Sequence, residues 1–449
     1  MIKCKYYFGI LVLSFVAGSV MLHSSESAAE PIPGDMGFDV PKDKTPQNQE
    51  STDALALFKT RDYQGSLKLW REAVKKNPNL PPAQVIMAQL YLQGNMIPES
   101  RNAVEQAIAE VPTDPEAYIL SARFCLNAGN LDKAESNLQK ADSLLAGFKE
   151  DDSRKTRLQM FLLDNQALLA QARKDWPGAQ KLFEALLKLD PKNANVLHKI
   201  AFCLFQEKLI DQSLETLQEI PKLDPKALAP QAMLSQFYDQ AGDHQNAEKQ
   251  LAAAVATSPK NLQTRLMAGN QAMLKGQLEE ARKHSVAAMQ IDQKSPDAQI
   301  LQATIAAYEK NYLTAELLFE TVLKSSPNNP VILNNLAMML IQQDEDEKKR
   351  RALEYAETLA KKFPKSPQVA STYGYVLYRL GRLDDAEREL QAAMPIASTD
   401  LDTAYVLARV AVDRGRKDEA RQLLETGLKK PQSSLFRQES EELLKELKK

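Results

Sequence analysis

The sequence is short of the residues that most chemistry needs. Its 449 residues include three cysteines and four histidines. No histidine has a second one four positions on, so the HExxH zinc pattern is absent, and no CxxC pair, Walker loop, GxGxxG or GxSxG occurs. Glycine is scarce at 16, and aromatics make up 6%. That composition, rich instead in Ala, Leu, Glu, Lys and Gln, disfavours sandwiches and barrels and favours helix. An excess of one charge is also lacking. Against 57 basic residues stand 59 acidic ones, a net charge of -2, so there is no broad basic field for nucleic acid. These absences predict a non-catalytic chain with no catalytic residue, no cofactor and no metal site.

What is present begins with an address. Lys3 and Lys5 precede an uncharged apolar run, Tyr6 to Leu22, and Ser27-Ala28-Ala29 supplies small residues for cleavage. This is the layout of a secretory signal. The run has 17 residues, which at about 1.5 Å each also suffices for a membrane anchor. Residues 1–29 thus read as a signal peptide or an N-terminal anchor, and both predict an exported chain in the periplasm or cell envelope. No cysteine follows the run to accept a lipid, and no later run is apolar enough to span a membrane. Residues 30–52 carry Pro31, Pro33, Pro41 and Pro46 with few apolar residues and read as a flexible linker.

The rest follows one period. Pro78 and Pro112 lie 34 residues apart, as do Pro191, Pro225 and Pro259 in turn. Small residues keep that spacing: Ser66, Ser100 and Ala134; Ala179, Ser213, Ala247, Ala281 and Ala315; then Ala352, Ala386 and Ala420. A second small series precedes the first by twelve residues in most repeats, for example Ala54, Ala88, Ala201, Gly269 and Gly374. The pattern predicts helical hairpins whose helices touch where side chains are small, with Trp70, Phe183, Leu217, Leu251 and Phe319 filling the surrounding space. Turns fall at Gly129, Gly242, Gly276, Gly381 and Gly415, and proline ends the second helices.

In these residues the chain resembles the tetratricopeptide repeat (TPR) family, whose 34-residue unit has this order. The resemblance covers about residues 47 to 432 in eleven repeats, with the family's tryptophan missing and its proline replaced at Ala146, Gln293 and Ser398. It implies an all-α solenoid, a right-handed superhelix over 53–434, ending in a capping helix at 435–449. Two repeats break the period. Gly147 to Gln159 predicts a lengthened first helix that starts near Asp152 or Ser153, and the charged run Asp344 to Arg351 predicts a solvated loop with local ion pairs. Cys125 and Cys203 sit at apolar helix positions, as inert buried thiols do.

In the family, first helices line a concave groove. Matched position by position, the resemblance turns inward His198, Phe202 and Phe205, then Tyr308, then Tyr375, Tyr378 and Arg379, then Tyr405 and Arg409. Tyr and Arg are the residues of binding hot spots, and they cluster most densely in the tenth and eleventh repeats. Any one of them could instead pack between helices. The stretches Asn334 to Leu340 and Tyr373 to Met394 are similar to exported bacterial TPR proteins of exopolysaccharide- or exosortase-linked systems. The implied function is a scaffold for a protein or peptide partner in the envelope. The alternative is a binder of envelope polymer, polysaccharide or peptidoglycan, with tyrosines stacking on sugars.

Overall fold

The computed structural model describes residues 49–77, 79–148, 152–397, 401–429 and 434–449. The expected signal or anchor and most of the expected linker lie outside them. Among the described residues there are 23 helices and no strand. The first compact unit, through Ala247, contains α1 (Gln49–Lys59), α2 (Tyr63–Lys76), α3 (Ala83–Gln93), α4 (Ile97–Glu110), α5 (Pro115–Asn127), α6 (Leu131–Ala146), α7 (Asp152–Ala172), α8 (Trp176–Leu189), α9 (Ala194–Gln206), α10 (Ile210–Leu223) and α11 (Pro230–Gln240). The division falls within α12 (His244–Thr257). The second unit, from Glu248, contains α13 (Leu262–Leu274), α14 (Leu278–Ile291), α15 (Pro296–Tyr308), α16 (Tyr312–Ser325), α17 (Pro330–Ile341), α18 (Asp346–Lys362), α19 (Pro367–Arg379), α20 (Leu383–Ala397), α21 (Leu401–Asp413), α22 (Lys417–Leu428) and α23 (Arg437–Leu447). In each unit, consecutive helices pair as hairpins: α1 with α2 through α9 with α10, and α13 with α14 through α21 with α22.

The close contacts fall on the two small series. The hydroxyls of Ser66, Ser100 and Ser213 donate to the carbonyls of Ala54, Ala88 and Ala201 at 2.8, 2.7 and 2.8 Å, each twelve residues earlier on the facing helix. Where the second series has glycine, there is no room for more. A Cβ on Gly374 would lie 2.5 Å from Leu390 Cγ, and one on Gly269 2.6 Å from Leu301 Cδ2. Trp70, Phe183, Leu217 and Phe319 are buried around these contacts.

Every hairpin turn among the described residues, except that between α17 and α18, holds one left-handed residue. The five turn glycines have φ from +70° to +78°. In repeats without glycine the same place is held by Arg61, Asn95, Lys174, Lys208 and Lys310, with φ from +55° to +69°. The chain then closes the helix end, as where the Asp175 N–H donates to the Ala170 carbonyl at 2.9 Å, and starts the next helix with a side-chain cap, Asp175 Oδ1 accepting from the Gly178 N–H at 3.0 Å. Prolines do more than end second helices. Pro115, Pro296 and Pro330 open first helices behind the caps Asp114, Ser295 and Asn329.

Three expectations meet the structure differently. Helix begins at Gln49, inside the span read as linker, because Ala54 is already fully buried against Ser66. The extra residues before the fourth repeat do lengthen a first helix, α7, which starts at Asp152. The charged run from Asp344 is a loop only through Glu345, and its local ion pairs do form, such as Arg350 with Glu347 at 2.6 Å; from Asp346 onward the run is helical. This part forms the first turns of α18, where Asp346 and Glu347 face the helix N-terminus. Lys348 and Arg351, three residues apart and so on one face, reach back to α16: Lys348 Nζ lies 3.1 Å from buried Glu316, and Arg351 lies 2.7 Å from Glu320.

Candidate functional site

On α19, Tyr375 and Arg379 stand one helical turn apart and share a face. The Tyr375 hydroxyl donates to Gln342 Oε1 at 3.1 Å, and Arg379 Nη1 donates to the same oxygen at 2.8 Å and to the Tyr375 hydroxyl at 3.2 Å. On α21, Tyr405 and Arg409 repeat the spacing. Arg409 Nε donates to the Tyr378 hydroxyl at 3.2 Å and so ties α21 to α19. The five candidates of the tenth and eleventh repeats therefore form one connected face. Its floor is apolar: Tyr375 is 5% exposed and burial raises its hydroxyl pKa. Burial pushes the Tyr405 hydroxyl up to about 12. Its rim is Tyr378, Arg379 and Arg409, all half-buried.

Phe436, just before α23, enters this floor. Its ring lies 4.9 Å from Tyr405, nearly parallel, and 5.1 Å from Tyr375. The sequence places Phe436 in a capping segment and gives no sign of this contact.

The other candidates sit elsewhere. In the first unit, His198, Phe202 and Phe205 converge on Phe237 of α11, with ring centroids 4.9, 5.2 and 5.6 Å away. Phe205 is 2% exposed, a core residue between α9 and α11. Burial, then neighbouring Lys199, lowers the His198 pKa. Tyr308 packs half-buried against the core of α13 to α15.

Cys203 is fully buried, and burial pushes its thiol up to about 11, which suppresses the reactive thiolate. Cys125 is half-buried, so only one of the two thiols is enclosed as expected. Among the described residues, no three His, Cys, Asp or Glu side chains are grouped to hold a metal, and no helix is long and apolar enough to cross a membrane.

Two clusters escaped the sequence. Phe58, Tyr63 and Tyr91 form a ring trio at 5.1 to 5.4 Å; the available signal was Phe58 and Tyr91 near the ends of successive first helices. The lengthened α7 carries Arg154 to the start of α5, where it pairs with Asp114 at 2.5 Å and Glu116 at 3.2 Å. Gln89 donates to the same Glu116 at 2.7 Å. Burial pushes the Glu116 carboxyl up, opposed by Arg157 and Arg154.

Comparison with known proteins agrees with the hairpin array. Tetratricopeptide-repeat models match residues 170–237 and 87–144, and a model of the anaphase-promoting complex (cyclosome) subunit 3 matches 345–427. The chain is 22% identical over 338 residues to tetratricopeptide repeat protein 21A of Mus musculus, covering 75% of this chain and 24% of that protein. It is 29% identical over 113 residues to interferon-induced protein with tetratricopeptide repeats 2 of Cricetulus griseus, covering 24% of each. It thus spans about a quarter of the length of these relatives. Among solved structures, the APC/C hetero-tetramer Cut9–Hcn1 aligns at 12% identity and TM-score 0.42, covering 89% of this chain and 96% of that one. The TPR protein YrrB aligns at 17% and 0.28, covering 42% and 97%. TPR proteins act as protein-interaction scaffolds. Tetratricopeptide-repeat models thus match two separate segments of the chain, and the helical hairpins continue on either side of them.

Proposed function

We propose that this protein is an exported, non-catalytic scaffold of the cell envelope that seats a protein or peptide partner on the first-helix face of α19 and α21. The observation that carries this reading is the connected Tyr378, Arg379 and Arg409 rim beside an apolar floor. A guanidinium beside an aromatic edge takes a carboxylate or a peptide bond, and such anchors carry most of the energy of an interface. Export, and a place in exopolysaccharide or surface-protein assembly, rest on Lys3, Lys5, the apolar run at 6–22 and the small residues at 27–29.

The test uses the full chain as bait in envelope extract. Tyr378→Ala with Arg409→Ala should weaken a captured partner by about 2 kcal/mol, on the order of thirtyfold, while melting near wild type. Unchanged affinity at unchanged stability would move the site elsewhere. Retention of a glycan fraction in place of protein would favour envelope polymer as the ligand. Cell fractionation with and without residues 1–29 tests export, and equal cytosolic retention of both forms would remove it.

A further inference from the structure

Stacked repeats touch their sequence neighbours. The end of this chain does more. α23 packs on α22 and α21, as a capping helix should. Phe436 also reaches back to Tyr375 on α19, 5.1 Å between ring centroids. Glu439 Oε1 reaches further, to Lys310 Nζ at 2.6 Å, in the turn between α15 and α16. That turn lies three hairpins before α21 and α22. Capping requires neither contact.

The contacts have the form of a bound peptide. Asp402, 5% exposed, accepts from the Ser434 hydroxyl and from the Phe436 backbone N–H at 3.3 Å. The Phe436 ring, 5% exposed, fills the slot between Tyr375 and Tyr405. The Glu439 carboxylate meets Lys310 with one oxygen, and its other oxygen is buried without a hydrogen-bond partner. Between and beyond these anchors, Gln438, Glu441 and Glu442 are exposed. Lys310 holds the left-handed turn position that Lys174 and Lys208 hold in other hairpins, and here its ammonium meets Glu439.

We infer that this slot recognises an aromatic residue followed three positions later by a carboxylate, that Phe436 and Glu439 fill it in cis, and that a partner segment with the same Phe-x-x-Glu chemistry binds by displacing them. The existence of such a partner rests on the scaffold reading above; the cis occupancy does not.

The probe is a fluorescent peptide of residues 434–447 added to the full chain and followed by anisotropy. Phe436→Ala should bind it at least tenfold more tightly than wild type, because the slot is vacated. A peptide with its own Phe436 replaced by Ala should not bind, and adding Tyr405→Ala to the vacated chain should abolish binding. Since Phe436→Ala removes a buried ring, circular dichroism and melting accompany it. Glu439→Gln, which keeps the ring, gives a second arm and should bind at least threefold more tightly than wild type. Equal affinity of wild type and both variants, or no binding by either folded variant, overturns the inference. If the probe fails while Tyr378→Ala with Arg409→Ala still loses an envelope partner, the slot falls and the scaffold stands. If the vacated slot binds the probe but no variant captures a protein, the scaffold falls and the slot stands.

Discussion

The left-handed residue at ten of the hairpin turns is the point where side-chain identity and backbone demand conflict most directly. Lys174 sits at φ +61° and Gly276 at +70° in equivalent turns. A side-chain-bearing residue in this region costs about 1–2 kcal/mol, whereas glycine costs about 0.5–1 kcal/mol in unfolded-state entropy. Lys174→Gly should therefore stabilise the chain by about 0.5–1 kcal/mol in urea melts, net of those two effects. Gly276→Ala should do the reverse at similar size. At the equivalent Gly129, Gly242, Gly381 and Gly415 a Cβ would meet nothing within 4 Å, so at these turn positions only backbone strain opposes a side chain. A destabilised Lys174→Gly would mean that the lysine stem contributes packing that outweighs the strain. The sequence marked five of these turns through glycine; in the others the 34-residue register implies the same place, although Arg61, Lys174, Lys208 and Lys310 give no residue-level signal.

At the scale of the element, the two departures from the period both serve to place charge. The lengthened α7 delivers Arg154 to Asp114 and Glu116, with side chains 4%, 6% and 0% exposed. Two buried carboxylates without their cation leave a large desolvation cost uncompensated. Arg154→Met should destabilise the first compact unit by about 3–5 kcal/mol, because one partner of a buried ion pair is gone. Adding Asp114→Asn and Glu116→Gln should restore much of that in thermal melts. No recovery would show that the guanidinium acts through packing, such as its stacking 5.2 Å from the Phe148 ring, and not through charge. α18 uses the same principle in the second unit, where Lys348 and Arg351 satisfy Glu316. From sequence the run from Asp344 looked like a solvated loop, because its partner Glu316 lies outside any local window.

For the molecule as a whole, stability is built from repeated close approaches, so disruption at one of them should be local. Ala386, fully buried against Gly374 of the facing helix, is such a point. Ala386→Trp should overpack the α19–α20 pair and cost at least about 1–3 kcal/mol. Hydrogen exchange should rise in the neighbouring hairpins and stay unchanged in the first compact unit; uniform loss of protection would contradict the nearest-neighbour picture. The hairpins, their register and the two small series were legible in the sequence, since each is set by contacts within one repeat of 34 residues. The Tyr and Arg face was legible as a set of positions, because first-helix residues repeat in phase. What occupies that face was not. Phe436 on Tyr375, Glu439 on Lys310 and Arg154 on Glu116 join residues that no period relates. By itself, the sequence determined the hairpin and its spacing, because helix pairing is short-range and periodic. Only the tertiary structure decided the contacts between non-neighbouring repeats, because they depend on where the stack brings distant side chains together.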